Sequence, residues 1–347
     1  MALATELRRV PLKDRAMFDA LFILEHYLRR AAIVKNWKEQ VRLRIAAHVK
    51  MEGRGKIIPV ERLREKISAA EFIQRYLRKG VPVILDKGAA DWPCTRQWSF
   101  DAFKSRFGSE CIKLVNKIGL SDDDFIDERE FSEEIEFGAF LDQVLSGGRK
   151  YMRFSPLLEK FPELVEDFDR KFLKEMSGNS WGITYELFIG GNGTITPLHN
   201  AMTPFFFANI CGIKRWTLIP CRYLAIMNPS ADGANYNHSG AAVDLSNTDQ
   251  FPGFDCIDRM EAVLEPSDVL FNPSWMWHCV QNEAPTIGVR CGFVDVRSMV
   301  KESPALAFIR VFAARNPSMV EALYYALIKK NASQRTKRLN TASIFRP

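Results

Sequence analysis

Three features that the sequence lacks limit what the protein can be. Its seven cysteines include no CxxC pair, which argues against a disulfide framework and against a cysteine-bound zinc site. It has no apolar run of membrane-spanning length and no recognisable secretion signal, so we expect a cytoplasmic protein without a membrane partner. Histidine is also scarce, with five in 347 residues. Each histidine can therefore be weighed as a metal ligand.

The charge is concentrated at the two ends of the chain. Residues 1–66 contain 16 Lys and Arg against 8 Asp and Glu, and residues 329–347 contain 6 against none, so the part between them is acidic. The basic residues are not interleaved with aromatic ones as in a nucleic-acid groove, and no nucleic-acid partner is expected. A hydrophobic content of 47% indicates a folded protein with a substantial core.

The spacing of apolar residues predicts three segments. Residues 1–60 form a basic helical extension, residues 61–300 the main domain, and residues 301–347 C-terminal helices with a basic tail. The early part of the domain should contain a helix that begins at Ser68 and five further elements: a strand at Val81–Leu85, a helix at Trp98–Phe107, a strand at Cys111–Val115, an acidic loop at Asp122–Glu136 and a helix at Phe137–Leu145.

From residue 181 onward the pattern changes to short strands separated by turns rich in Gly and Asn. Such a pattern indicates a mainly β sandwich or barrel with helical flanks. The predicted strands include Phe205–Ile210, Lys214–Ile219, Arg259–Leu264, Val269–Asn272 and Thr286–Val296. Two helices should follow at Ala305–Ala314 and Pro317–Lys330, with apolar faces that suit packing on the barrel or a homodimer.

Two of the five histidines stand out by their context. His26 and His48 lie on predicted helices, and His238 lies in a polar loop where a rim position is favoured over a ligand role. His199 and His278 each adjoin a predicted strand, and Lys214 follows the first by 15 residues. A lone histidine is more often a core residue than a ligand. Two imidazoles and one cation in a single barrel mouth would instead suit iron and a dicarboxylate.

Two stretches carry a family resemblance. Gly193–Ala201 (GTITPLHNA) with Phe206–Trp216 resembles the first metal-binding motif of the JmjC and cupin-8 family, and Val269–His278 (VLFNPSWMWH) resembles its distal-histidine motif. Together with a similar lead-in at Ile67–Phe107, the likeness spans roughly residues 60 to 297. The resemblance implies a double-stranded β-helix (the cupin or jelly-roll core) that binds Fe(II) through His199 and His278 and uses 2-oxoglutarate and O2.

The resemblance also implies roles for several other side chains. Lys214 would pair with the distal carboxylate of 2-oxoglutarate, aided by Thr196 and Tyr151. Arg290 is a rival for that role because related oxygenases often use an arginine at this position. A compact buried ammonium suits the role on chemical grounds as well, and Lys214 is therefore preferred.

One position departs from the family pattern. The family places Asp or Glu two residues after the first histidine, and this sequence has Ala201. The change resembles the mark of iron and 2-oxoglutarate halogenases, in which chloride occupies the vacated position and Asn200 or Asn209 would help to hold it. The leading hypothesis from the sequence is therefore a chlorinase that acts on an unactivated carbon of a small molecule or a carrier-tethered intermediate.

Two other functions remain open. One is a 2-oxoglutarate-dependent hydroxylase, either a natural one whose iron is held by two histidines or one whose Asp ligand has been mutated to Ala. The other is a non-catalytic cupin-fold binding protein. Retention of a buried lysine argues against loss of all chemistry. Chloride-dependent product mass would discriminate the three. Five residues suggest an aromatic-rich barrel mouth: Phe188, Phe205, Phe207, Trp275 and Trp277.

Overall fold

Most of the β structure lies in two sheets. The structure, a computed structural model, describes residues 7–28, 31–114, 133–152, 157–231 and 235–312. A five-stranded sheet has the order β1 (Ile57–Pro59), β11 (Arg259–Leu264), β10 (Lys214–Ile219), β13 (Trp277–Asn282) and β8 (Ile195–Asn200). A seven-stranded sheet has the order β2 (Arg62–Leu63), β3 (Val83–Leu85), β12 (Val269–Asn272), β9 (Phe205–Cys211), β14 (Thr286–Val294), β7 (Trp181–Gly190) and β6 (Tyr151–Met152). A separate two-stranded antiparallel sheet pairs β4 (Cys111–Leu114) with β5 (Glu133–Glu136).

Four antiparallel strands of each sheet form the central double-stranded β-helix. Strands β8, β13, β10 and β11 supply one side, and β7, β14, β9 and β12 supply the other. Sequence-distant strands are neighbours in both sheets, as when β12 pairs with β9. The predicted mainly β jelly-roll core with helical flanks is confirmed.

Alternation along β9 shows how the sequence separates the inside of the barrel from the outside. Phe205 and Phe207 belong to the interior cluster between the sheets, together with residues such as Trp216. Phe206 and Ala208 belong instead to a cluster on the outer face of the seven-stranded sheet. Because successive side chains of a strand point to opposite faces, a strand buried on both faces is mainly apolar.

Helices cover the outer faces of both sheets. The five-stranded side packs against helices Leu12–Tyr27, Ala32–Met51, Leu224–Met227, Val296–Glu302 and Pro304–Phe312. The seven-stranded side packs against helices Ala69–Phe72, Pro93–Gln97, Phe100–Phe107, Phe137–Leu145, Leu157–Lys160 and Arg170–Met176. A π-helical turn, Ile73–Leu77, continues the first of these. Short 3-10 turns lie at Pro162–Asp167, Cys221–Tyr223, Asn235–Asn237 and Phe254–Cys256.

Several predicted boundaries differ from the observed ones. The helix predicted at Trp98–Phe107 begins at Phe100, because the Ser99 hydroxyl accepts a hydrogen bond from the Ala102 N–H and caps it. The end of the predicted acidic loop, Glu133–Glu136, is a strand paired with Cys111–Leu114. The prediction of a loop there was wrong, because pairing with β4 stabilises a strand despite the acidic side chains. Residues 115–132 and the predicted helix Pro317–Lys330 lie outside the described residues.

The remaining predictions on organisation have mixed outcomes. All seven cysteines are free thiols, as the lack of closely spaced pairs indicated. No helix in the described ranges combines the length and apolarity needed to cross a membrane. The division at residues 60 and 300, the expected absence of a nucleic-acid partner and the homodimer through C-terminal helices stay predictions.

Candidate active site

His199 and His278 come together because their strands are neighbours. His199 lies on β8 and His278 on β13, and the two residues are register partners in the antiparallel pair. Their ring centroids are 4.1 Å apart. The predicted pairing of two imidazoles, which are separated by 79 positions in the sequence, is therefore what the barrel produces.

The hydrogen bonds of both rings define their tautomers. Nδ1 of His199 lies 2.8 Å from the Pro197 carbonyl oxygen, and Nδ1 of His278 lies 2.9 Å from that of Met276. A carbonyl oxygen only accepts, so each Nδ1 donates and the lone pair of each neutral ring is on Nε2. Burial lowers the pKa of His278 to about 4, which favours the neutral form. Backbone-oriented neutral imidazoles are typical metal ligands.

Ala201 also faces this site. It is 1% exposed, it lines the same cavity as the two histidines, and its carbonyl oxygen accepts a hydrogen bond of 2.7 Å from the Trp275 N–H. Within the described part of the chain, no third His, Cys, Asp or Glu joins the histidines in a metal-binding group. The donor set fits iron through two imidazoles and supplies no protein carboxylate to complete a facial triad.

His238, for which the sequence favoured a rim position, lies beside His199. Its ring centroid is 6.0 Å from that of His199, and the two residues form an isolated β-bridge. Nδ1 of His238 lies 2.9 Å from Oδ1 of Asn237. The polar loop that carries His238 therefore packs beside β8 at the first candidate ligand.

Lys214 is fully buried at the start of β10. Its Nζ donates a 2.7 Å hydrogen bond to Oδ1 of Asn282, its register partner on β13, and lies 5.5 Å and 5.4 Å from the ring centroids of Tyr151 and Phe207. Burial lowers the pKa of the amine to about 7. No carboxylate of the described residues forms an ion pair with it. A buried amine of this kind fits an anionic ligand, because a carboxylate would stabilise its charged form.

Arg290 faces the same cavity but is already paired. Its guanidinium donates to Glu186 at 3.0 Å and to the Thr203 hydroxyl at 2.9 Å, and it lies 4.6 Å from the ring centroid of Phe205. The Glu186 carboxylate compensates the Arg290 charge, whereas the hydrogen bond that Lys214 makes to Asn282 is to a neutral amide. The structure therefore favours Lys214 over Arg290 as the group that an incoming carboxylate would satisfy.

One cavity of about 40 Å³ joins these groups. Its walls bring together most of the residues singled out from the sequence: Tyr151, Phe188, Thr196, His199, Ala201, Phe205, Phe207, Lys214, Trp216, His278, Val280 and Arg290. The Thr196 hydroxyl and the Tyr151 hydroxyl are 3.5 Å apart. The predicted companions of Lys214 are thus placed beside it.

Four predicted residues do not line this cavity. Trp275 and Trp277 belong to the cluster on the outer face of the five-stranded sheet, so the prediction that they form the aromatic mouth was wrong. Asn200 follows His199 and is absent from the cavity wall, as expected for adjacent residues of a strand. Asn209 donates to the carbonyls of Gly212 and Leu264, away from Ala201. The halide role predicted for the two asparagines has no geometric support.

Sequence reasoning missed two residues of the site. Asn282 is 1% exposed, and besides accepting from Lys214 it donates a 2.7 Å hydrogen bond to the Thr194 hydroxyl. Trp216 stacks on His278 with ring centroids 5.6 Å apart, and its buried indole N–H has no hydrogen-bond partner within the described ranges. Residues two positions apart on a strand point to the same face. Asn282 is four positions after His278 and Trp216 is two after Lys214, so the sequence could have indicated both.

Comparison with known proteins agrees with this geometry. The sequence model of the cupin-like domain, cupin-8, matches residues 68–299, which include every residue of the cavity wall. The chain belongs to the cupin-8 family. It is similar to a lysine-specific demethylase 8 of Xenopus tropicalis, with 27% identity over 217 residues that cover 62% of this chain and 48% of that protein.

Two further relatives are similar to this cupin-8 protein, and one of them carries a different name. A lysine-specific demethylase 8 of Danio rerio is 28% identical over 62% of this chain and 53% of its own length. A tRNA wybutosine-synthesizing protein 4 of Emericella nidulans is 25% identical over 80% of this chain and 26% of its own length. The chain thus spans about half the length of the demethylase relatives. Family membership accounts for the shared fold and motifs, while the activity is a separate question.

Proposed function

We propose that this cupin-8 protein is an iron(II)- and 2-oxoglutarate-dependent oxygenase that hydroxylates a small-molecule or carrier-tethered substrate. One observation carries the proposal: two backbone-oriented imidazoles and a buried, carboxylate-free lysine line one cavity. Membership in a family whose relatives include named demethylases supports an oxidative function over a structural one.

Different residues would bind the iron, bind 2-oxoglutarate and exclude water. Nε2 of His199 and of His278 would bind the iron, and the ammonium of Lys214 would bind the distal carboxylate of 2-oxoglutarate. When bound, iron with 2-oxoglutarate and O2 supplies the oxidation of a substrate C–H bond. The rings of Phe188, Phe205 and Phe207 would exclude water from this region and strengthen the electrostatic interactions within it.

A direct test begins with the metal and the co-substrate. Anaerobic addition of iron(II) and then 2-oxoglutarate to the purified protein should give a visible charge-transfer band and saturable binding of both. Exposure to O2 should convert 2-oxoglutarate to succinate, even without the substrate. A protein that binds neither iron nor 2-oxoglutarate would instead be a cupin-fold binding protein.

A halogenase is the second candidate because of Ala201. The Ala201 methyl group lines the cavity where the family has a carboxylate, and this leaves a position for an exogenous anion. Chloride in that position would be the group transferred to the substrate carbon. The comparisons support the oxygenase family and do not favour chloride over hydroxyl transfer, so product mass must distinguish the two.

The variant Ala201→Asp separates the two candidates. In a hydroxylase, the new carboxylate should tighten iron(II) binding by about tenfold or more, since even outer partners of metal ligands contribute 10–100-fold. In a halogenase it should abolish halogenated product at every chloride concentration, because the carboxylate fills and repels the halide position. Ala201→Asn is the matched control, with similar volume and no charge. Chlorinated product from wild type alone would overturn the hydroxylase proposal.

Binding of 2-oxoglutarate should take up a proton above pH 7. The pKa of Lys214 is lowered to about 7 by burial, so at pH 8 most of the amine is neutral before binding. The carboxylate raises that pKa on binding, and uptake should approach one proton at pH 8 and fall towards zero near pH 6. The number of protons taken up is measured by calorimetry in two buffers of different ionisation enthalpy. Equal uptake by Lys214→Met would exclude Lys214 as its source.

A further inference from the structure

A second, larger cleft lies outside the candidate active site. Its volume is about 460 Å³, and its wall shares no residue with that of the first cavity. It is formed where the N-terminal stretch meets the segments before β3 and after β10 and the end of helix Val296–Glu302. Its apolar surface comes from Leu7, Val10, Val81, Pro82, Met260 and Met276.

The charged residues of this cleft are nearly all cationic. Arg9, Arg15, Lys79, Arg222 and Lys301 line it, and Glu302 is the one carboxylate among the lining residues. Glu302 pairs with Lys301 at 3.1 Å, and Arg15 donates to the Glu302 carbonyl oxygen. Among the described residues, Arg9, Lys79 and Arg222 have no ion-pair partner. Like charges held around one concavity repel one another until an anion binds.

The Ser274 hydroxyl points to a ligand in the cleft, independently of the cationic residues. Ser274 is 2% exposed, it lines the cleft, and its buried hydroxyl has no hydrogen-bond partner among the residues that the structure describes. A buried polar group without a partner costs free energy, and such groups in a native protein are usually satisfied by a ligand or ordered water. A hydroxyl can donate to a phosphate oxygen, as the surrounding guanidinium and ammonium groups can.

The cleft adjoins the candidate active site through two methionines. Met260 and Met276 line the cleft and also belong to the interior cluster that contains Ala201 and Phe205. Met276 is the residue whose carbonyl oxygen contacts Nδ1 of His278. A ligand in the cleft would therefore lie one side chain away from the segment that orients the second histidine.

We propose that this cleft binds the phosphate-bearing end of a small soluble molecule, and that Arg222, Lys79 and Arg9 together with the Ser274 hydroxyl hold the phosphate. The apolar side of the cleft would contact the remainder of the ligand. A concave site with a buried hydroxyl favours a small molecule over a nucleic-acid duplex, whose backbone cannot enter it. The proposal needs neither iron nor 2-oxoglutarate, so it stands or falls independently of the proposed function.

Inorganic pyrophosphate is the probe for this site. Calorimetry on the metal-free protein should show one saturable site for it. Arg222→Glu and Lys79→Glu should each weaken binding roughly tenfold to hundredfold, the usual range for losing a hydrogen bond to a charged group. Ser274→Ala should weaken it less while leaving the net charge unchanged. Lys171→Glu is the matched charge control, because that lysine is 86% exposed and lies outside the cleft.

Four results would overturn the proposal. The first is no pyrophosphate binding at millimolar concentration, and the second is equal weakening by Lys171→Glu, which would indicate net charge alone. Loss of binding in Lys214→Met or His278→Ala, with Arg222→Glu unaffected, would place the anion in the first cavity. Preferential binding to phosphatidic acid vesicles or to single-stranded oligonucleotide, sensitive to Arg222→Glu, would identify a lipid surface or a polymer as the ligand. Retained binding in His278→Ala with loss in Arg222→Glu supports the cleft.

Discussion

Replacing His278 with alanine should abolish measurable iron(II) binding, and His199→Ala should do the same. The described chain offers two imidazoles and no third protein ligand, so no remaining group can compensate. Loss of an outer partner of a metal ligand already costs 10–100-fold in affinity, and loss of one of two direct ligands should exceed the upper figure. Anaerobic dialysis against iron(II), followed by metal analysis, measures the bound metal.

The controls for this prediction are a variant of His278 that keeps most of its side-chain volume and alanine variants of the other histidines. His278 is 3% exposed, so alanine leaves a cavity, and His278→Gln keeps most of the volume if the alanine variant unfolds. His48→Ala changes a histidine on the helix Ala32–Met51 and should bind iron normally. His238→Ala should also bind iron normally, because the ring beside His199 forms no metal-binding group with the two histidines in the described part of the chain. Full iron binding by His278→Gln would contradict the two-histidine site.

The strands that carry the site could be predicted because their pattern is local. Hydrophobic runs separated by glycine turns gave the position of β9 and β10, and Gly212 between them has φ +74°, which a glycine adopts readily. A residue with a side chain there would also place Cβ 2.1 Å from the Pro285 carbonyl oxygen. The turn thus fixes the register in which Lys214 enters the barrel.

The direction of individual side chains was harder to predict than the strands. Trp277 precedes His278 on β13, so alternation already puts its ring on the opposite face, where the structure has it. Trp275 lies in the preceding turn with φ +58°, and counting along a strand does not apply there. Its indole N–H donates to the Met299 carbonyl oxygen outside the barrel.

Long-range pairing accounts for what the sequence could not predict. His238 reaches His199 from a loop 39 positions later, and no local pattern encodes that contact. The pairing of Arg290 with Glu186 depends on the register of β14 with β7, which the sequence leaves open. That ion pair is what separates the two candidate cations, because a compensated charge has less need of a ligand carboxylate.

Lys214→Met should weaken 2-oxoglutarate binding by several hundredfold or more. Removing one partner of a buried charge pair costs about 3 to 5 kcal/mol, and each 1.4 kcal/mol is tenfold in affinity. The folded protein should tolerate the change, because methionine has a similar length and removes an amine whose charged form burial already disfavours. The loss of its hydrogen bond to Asn282 should cost about 1 to 3 kcal/mol of stability, as for other buried polar groups left unpaired.

Titration of the iron-loaded protein with 2-oxoglutarate measures the affinity, and thermal unfolding measures the stability. Arg290→Gln is the comparison: if it weakens 2-oxoglutarate binding and Lys214→Met does not, the carboxylate binds to Arg290 and not to Lys214.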